Sequence, residues 1–200
     1  MVNISVLVSG GGTNLQSIID ACKDGGKLYQ KARVSLVLSS RGDAYALTRA
    51  EADDILTAVI DTKHFPDADE RASQILGLLD EAETDLVVLA GYMQVVHKDI
   101  IEAYRGRIIN IHPSLIPKHC GKGYYGVHVH ESVLAAGDSE SGATVHYVDE
   151  GVDTGDIIIQ KKAPVLEGDT PQMLQQRVLG IEHEILIDAI LKVIADKSLY

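Results

Sequence analysis

A chain of 200 residues, 46% hydrophobic and 24% charged, has enough apolar side chain for one globular domain with its own core and is not a disordered polymer. Its formal charge of −11, from 29 acidic against 18 basic residues, argues against nucleic acid and anionic membrane as partners, because both reward basic patches. The two cysteines, Cys22 and Cys120, are too few for a disulfide framework and have no CxxC spacing, so a reducing, cytoplasmic setting is expected.

The chain enters directly into VNISVLVSG, which reads as a strand and not as a signal peptide. No apolar stretch approaches the roughly 18 residues of a membrane-spanning helix. Short β-branched runs recur at 3–9, 32–40, 56–61, 84–91 and 107–112, each of strand length. Between them lie segments of helical spacing. The clearest is Leu15, Ile18, Ile19 and Cys22, which stack on one helix face. This alternation predicts an open, mostly parallel α/β sheet of the Rossmann-like type, with helices on both faces. Past residue 126 the rhythm changes. SGATVHYVDE (141–150) and DIIIQKKAPV (156–165) are expected as an antiparallel addition near the C-terminus, followed by a helix from about 171 to 196 capped by Thr170 and Pro171. A single domain over 1–200 is expected, with no repeat and no linker.

Three constellations could carry chemistry. SGGGTNLQ (9–16) is a glycine-rich turn into the first helix, where backbone N–H groups make a natural anion site; Thr13 and Gln16 also fit a capping box. The third glycine of GxGxxG is absent, since Leu15 holds that place, and no GK[ST] follows. The second constellation is RIINIHPSLIP (107–117). Side chains two apart on a strand point the same way, so Asn110 and His112 project to one face at the carboxyl end of the fifth strand. Ligand crevices of open α/β sheets lie at those ends. An amide beside an imidazole can stabilise a developing oxyanion and move a proton. The third is VHYVDEGVDTGD (145–156), where Asp149, Glu150, Asp153 and Asp156 crowd one turn; a carboxylate brought near His112 would favour its charged form. Spacing does not select which acid does so. His119, His128 and His130 form a further group, without the HExxH or cysteine partners of a metal site.

Taken in order, SGGGTNLQ, LAGYM (89–93), NIHPSLIP (110–117), GATVHYVDEGVDTGDII (142–158) and the Glu-His pair at 182–183 resemble the glycinamide ribonucleotide formyltransferases of purine synthesis, over nearly the whole chain. The resemblance implies transfer of a formyl group from 10-formyltetrahydrofolate, as co-substrate, to the amine of glycinamide ribonucleotide, without a metal. It implies a catalytic trio of Asn110, His112 and Asp153, with His146 in support. It places the ribonucleotide against Gly11, Gly12, Thr13, Asn14, Pro113 and Glu182. The folate would meet Leu89, Met93, Gln94, Val95, Val96 and Ile101, with backbone from Glu150 through Val152 to Asp153 on the polar edge of its pterin. Partners are then small molecules, with a monomer or homodimer as the assembly.

Three positions depart from the family pattern. Gln94 and Ala68 stand where arginines are frequent, leaving Lys63 or Arg71 as candidates for the glutamate tail of the folate. Asp156 replaces a usual proline and is expected to raise the pKa of a neighbouring carboxyl by like-charge repulsion. Formyltetrahydrofolate hydrolase and methionyl-tRNA formyltransferase share parts of the motif set. Each normally carries an additional domain, for which this chain is expected to have no room. A binding module that holds a phosphorylated ligand without catalysis is the remaining alternative.

Overall fold

The computed structural model describes residues 1–196. Among the described residues, seven strands and six helices alternate through most of the chain: β1 (Val2–Val8), α1 (Thr13–Cys22), β2 (Ala32–Ser39), α2 (Tyr45–Glu51), β3 (Leu56–Val59), α3 (Ala68–Glu81), β4 (Leu86–Leu89), α4 (Lys98–Ala103), β5 (Ile108–His112), α5 (Val127–Ala136), β6 (Glu140–Tyr147), β7 (Ile157–Pro164) and α6 (Pro171–Ala195). One sheet runs in the order β3-β2-β1-β4-β5-β6-β7. The strands from β3 to β5 are parallel, and β6 and β7 join antiparallel. The expected architecture is therefore observed, including the antiparallel addition and the Thr170 cap, whose side chain accepts from Met173 N–H.

Strand periodicity divides the core. Val2, Ile4, Val6 and Val8 of β1, with Ile109 and Ile111 of β5, face a layer built by α1, α2, α5 and α6. Leu7, Val87, Leu89 and Ile108 face the opposite layer, built by α3 and α4. Each such side chain, fully buried, contributes about 1.5–3 kcal/mol. Asn110 and His112 are in phase with Ile108, so the period that buries the isoleucines delivers the two polar groups together at the strand end.

From β1 the chain passes to β2 on one side, and it later returns to β4 on the other. The β1/β4 boundary is thus the topological switch point, where the loops leaving the two strands part and leave a crevice. The rim of this crevice is held in place by Ser9 at the end of β1. Its hydroxyl accepts from Met93 N–H at 2.9 Å and shares a hydrogen bond with Ser40 at 2.6 Å, fixing the β4 loop to the β1 and β2 ends.

The capping box expected at α1 does not form. Gly12 is the cap residue, with φ 72° and no side-chain bond. Gln16 instead accepts from Arg49 of α2 at 3.1 Å, while Arg49 Nε donates to the Gly11 carbonyl at 2.8 Å. A partner from a distant helix has taken the side chain that local spacing assigned to the cap. A Cβ on Gly12 would lie 2.6 Å from that of Ala46, so both conformation and space require glycine here.

Candidate active site

A cavity of about 800 Å³ opens at the switch point, bounded by the glycine turn, the β4 loop, the end of β5, the loop before α5, the β6–β7 turn and one face of α6. Asn110, His112 and Asp153 all line it. Asp153 sits at φ 58°, a left-handed conformation in the β6–β7 turn that directs its carboxylate inward. Its Oδ2 accepts from Gly121 N–H at 2.8 Å and lies 3.6 Å from His112 Nδ1. Its Oδ1 accepts from Asn110 Nδ2 at 3.3 Å and lies 3.5 Å from His146 Nε2.

His146 reaches this cluster because β5 and β6 are antiparallel with Asn110 opposite His146. Its Nδ1 donates to the Tyr147 carbonyl at 2.7 Å, leaving Nε2 to accept from Asn110 Nδ2 at 3.1 Å. The amide of Asn110 is thereby oriented by two acceptors. His112 has its ring between two acceptors as well, since Nε2 donates to the His119 carbonyl at 3.0 Å and Nδ1 faces the Asp153 carboxylate.

The charges oppose one another here. Burial pushes the His112 imidazolium below its ordinary pKa; Asp153 and the His119 carbonyl push back, and His146 adds to the depression. For Asp153, burial raises the carboxyl, but the adjacent His146 and His112 rings and the Gly121 N–H outweigh it and hold the group below the usual range. The pair is one coupled proton site in which the carboxylate favours the charged ring.

The turn also separates the four acids. Asp149 accepts from Thr154 Oγ1 at 2.6 Å and from Gly151 N–H at 3.0 Å, so it holds the turn together. Glu150 is exposed and lies outside the cavity lining, and Asp156 points to solvent. The expected effect of Asp156 is corrected accordingly: Asp153 lies below the usual carboxylate range, governed by the groups around it and not by a neighbouring acid.

Two walls flank the cluster. On the α1 and α6 side, Gly11, Gly12, Thr13 and Asn14 line the cavity together with Glu182, and Pro113 borders the trio. Asn14 Nδ2 donates to Glu182 Oε2 at 2.7 Å. Burial pushes the Glu182 carboxyl up, and the Asn14 bond only partly offsets this. A carboxyl whose folded pKa is raised loses stability as pH rises through that pKa and recovers it below the unfolded value. Glu182→Gln should therefore be more stable than the parent at pH 8 by on the order of 1 kcal/mol, with the gap closing toward pH 4 in urea titrations.

On the other side, Leu89, Met93, Gln94, Val95, Val96 and Val152 form a largely apolar wall, with Val95 77% exposed and free to cover a flat ring. Ile101 is not part of it. The α4 helix turns Ile100 and Ile101 into the core layer against α3, where Ile101 is 4% exposed. Ala68, Lys63 and Arg71 lie outside the lining too; the Arg71 guanidinium is spent on the carbonyls of Phe65, Pro66 and Asp67 at the start of α3. Among the described residues, Lys122 is the one lysine or arginine that lines the cavity.

Sequence reasoning missed Tyr92, Tyr124, Tyr125, Gln175, Gln176 and Leu179 as lining residues. Gln175, Leu179 and Glu182 stand at i, i+4 and i+7, so the helical period of α6 carried the signal. The three histidines after β5 do not meet as a ligand set. His119 bonds Ser132 and Asp138, and His128 bonds Glu131. Among the described residues, Asp69, His97 and Asp99 lie close enough to share an ion, on the rim of α3 and α4 and outside the cavity.

A switch-point cavity that joins a glycine-rich helix start to an Asn–His–Asp cluster is the geometry of an α/β enzyme. Comparison with known proteins makes this specific. The formyl transferase model matches residues 2–190. The phosphoribosylglycinamide formyltransferase of Haemophilus influenzae is 40% identical over 185 residues, covering 92% of this chain and 84% of that protein. A trifunctional purine biosynthetic protein, adenosine-3, of Drosophila pseudoobscura pseudoobscura is 42% identical over 90% of this chain, which spans only 13% of that protein. The crystal structure of glycinamide ribonucleotide transformylase 1 from Symbiobacterium toebii superposes with a TM-score of 0.91 at 40% identity, covering 98% of this chain and 89% of that one. The chain belongs to the formyl transferase family.

Proposed function

We propose that this protein transfers the formyl group of 10-formyltetrahydrofolate to the amine of glycinamide ribonucleotide. The observation that carries the reading is the meeting of Asn110, His112 and Asp153 in a cavity that is bounded by the glycine turn on one side and by the apolar β4 wall on the other. The glycine turn suits a phosphate, and the apolar wall suits a pterin. One sheet continuous from β3 to β7 supports a single domain, and the cytoplasm suits the two free cysteines. Among the described residues no helix is long and apolar enough to cross a membrane.

In this reading the amine nitrogen attacks the formyl carbon and the carbonyl oxygen becomes an oxyanion. Asn110 turns one N–H to that oxygen, giving up its longer contact with Asp153, while His146 keeps the amide oriented. The proton lost by the amine is held on His112, where Asp153 stabilises the imidazolium, and it is returned to the departing folate nitrogen as the carbon–nitrogen bond breaks. One bond forms, one breaks and one proton crosses the site.

The test is to incubate purified protein with 10-formyltetrahydrofolate, with and without glycinamide ribonucleotide. Tetrahydrofolate released only with the amine present is the expected result. Release without it indicates hydrolysis, and no release in either case leaves a binding module.

A further inference from the structure

We infer that His130 is a substrate-orienting residue: its ring hydrogen-bonds an uncharged polar group of the amine acceptor, a sugar hydroxyl or the carboxamide. The inference rests on the reaction proposed above. His130 projects from α5, lines the cavity and is 1% exposed, yet its Nδ1 is buried without a hydrogen-bond partner. Four side-chain atoms among the described residues share that condition, and two of them, Asn14 Oδ1 and His130 Nδ1, belong to residues lining this cavity. Buried polar atoms in native proteins are nearly always satisfied, so orphans that border a binding cavity mark where a ligand supplies the partner.

The position of α5 indicates which reactant. With α1 and α6, it forms the layer that carries Val133, Leu15 and Leu174. This is the layer from which Asn14 and Glu182 enter the cavity. The apolar wall for the folate borders the opposite layer, where Tyr92 and Val148 pack with Leu89 and Val96. His130 therefore faces the part of the cavity assigned to the ribonucleotide. Burial pushes its pKa down to about 4, and the nearby charge of His112 acts in the same direction. The ring is neutral throughout the physiological range and offers one donor and one acceptor, which match a hydroxyl or an amide better than a phosphate.

The experiment compares the intact protein with His130→Ala and His130→Asn, each checked for an unchanged thermal unfolding profile. His130→Ala is expected to raise the KM for glycinamide ribonucleotide about tenfold, the effect of losing one hydrogen bond in a closed site, while kcat and the KM for 10-formyltetrahydrofolate stay within about twofold. The ratio should be constant between pH 6 and 8, and His130→Asn should recover part of the loss. A glycinamide ribonucleotide KM that does not move, a fall in kcat alone, or equal increases in both KM values would overturn the inference. Calorimetric titration with glycinamide ribonucleotide separates the two readings. If the parent transfers no formyl group, the reaction is refuted, yet an affinity about tenfold weaker in His130→Ala would still support the contact.

Discussion

Replacing His112 by alanine is expected to lower kcat by about 10²-fold or more, with the KM values for both reactants changed far less. The reasoning follows from the ring's surroundings. Both nitrogens face acceptors, the His119 carbonyl at 3.0 Å and the Asp153 carboxylate at 3.6 Å, so the imidazole is held for proton transfer and not for gripping a substrate. Its value is greatest when the oxyanion is present, and an interaction made only in the transition state appears in kcat. Single-turnover kinetics under saturating substrates would measure it. A variant that retains parental turnover would remove His112 from the chemistry.

Asp153→Asn should reduce turnover by a similar factor, about 10²-fold, and it has a second, spectroscopic consequence. In the parent, burial depresses the His112 pKa and Asp153 is the main group opposing that depression. Loss of the carboxylate charge leaves burial less opposed, so the His112 titration followed by NMR should move to still lower pH. The sign is fixed by this balance. An unchanged or higher His112 pKa in the variant would show that the carboxylate does not stabilise the imidazolium. Effects of His112 and Asp153 should be strongly non-additive, because the pair titrates and acts as a unit.

How much of this was legible in the residues differs from element to element. The strand runs and the two-residue period were enough to place Asn110 and His112 on one face at a strand end, because that geometry is local. The role of Asp153 among four acids was not, because spacing alone does not reveal that Asp149 is consumed by Thr154 and Gly151 while Asp156 faces solvent. The contact of His146 with Asn110 needed the antiparallel register of β5 and β6, a long-range fact. Ile101 was misplaced since the chain from 93 to 96 continues naturally into it, whereas α4 begins at Lys98 and rotates it into the core. The failed capping box has the same origin, for Arg49 arrives from another helix.

The most direct measurement is a crystal structure of the protein bound to glycinamide ribonucleotide together with an unreactive analogue of 10-formyltetrahydrofolate. The account predicts the phosphate on the N–H groups of the glycine turn, the pterin against the β4 wall, and the carbonyl oxygen of the analogue about 3 Å from Asn110 Nδ2, with the reactive carbon beside the His112 ring. Density that places the reactive carbon beyond hydrogen-bonding reach of both side chains, or the two ligands in separate pockets, would contradict it.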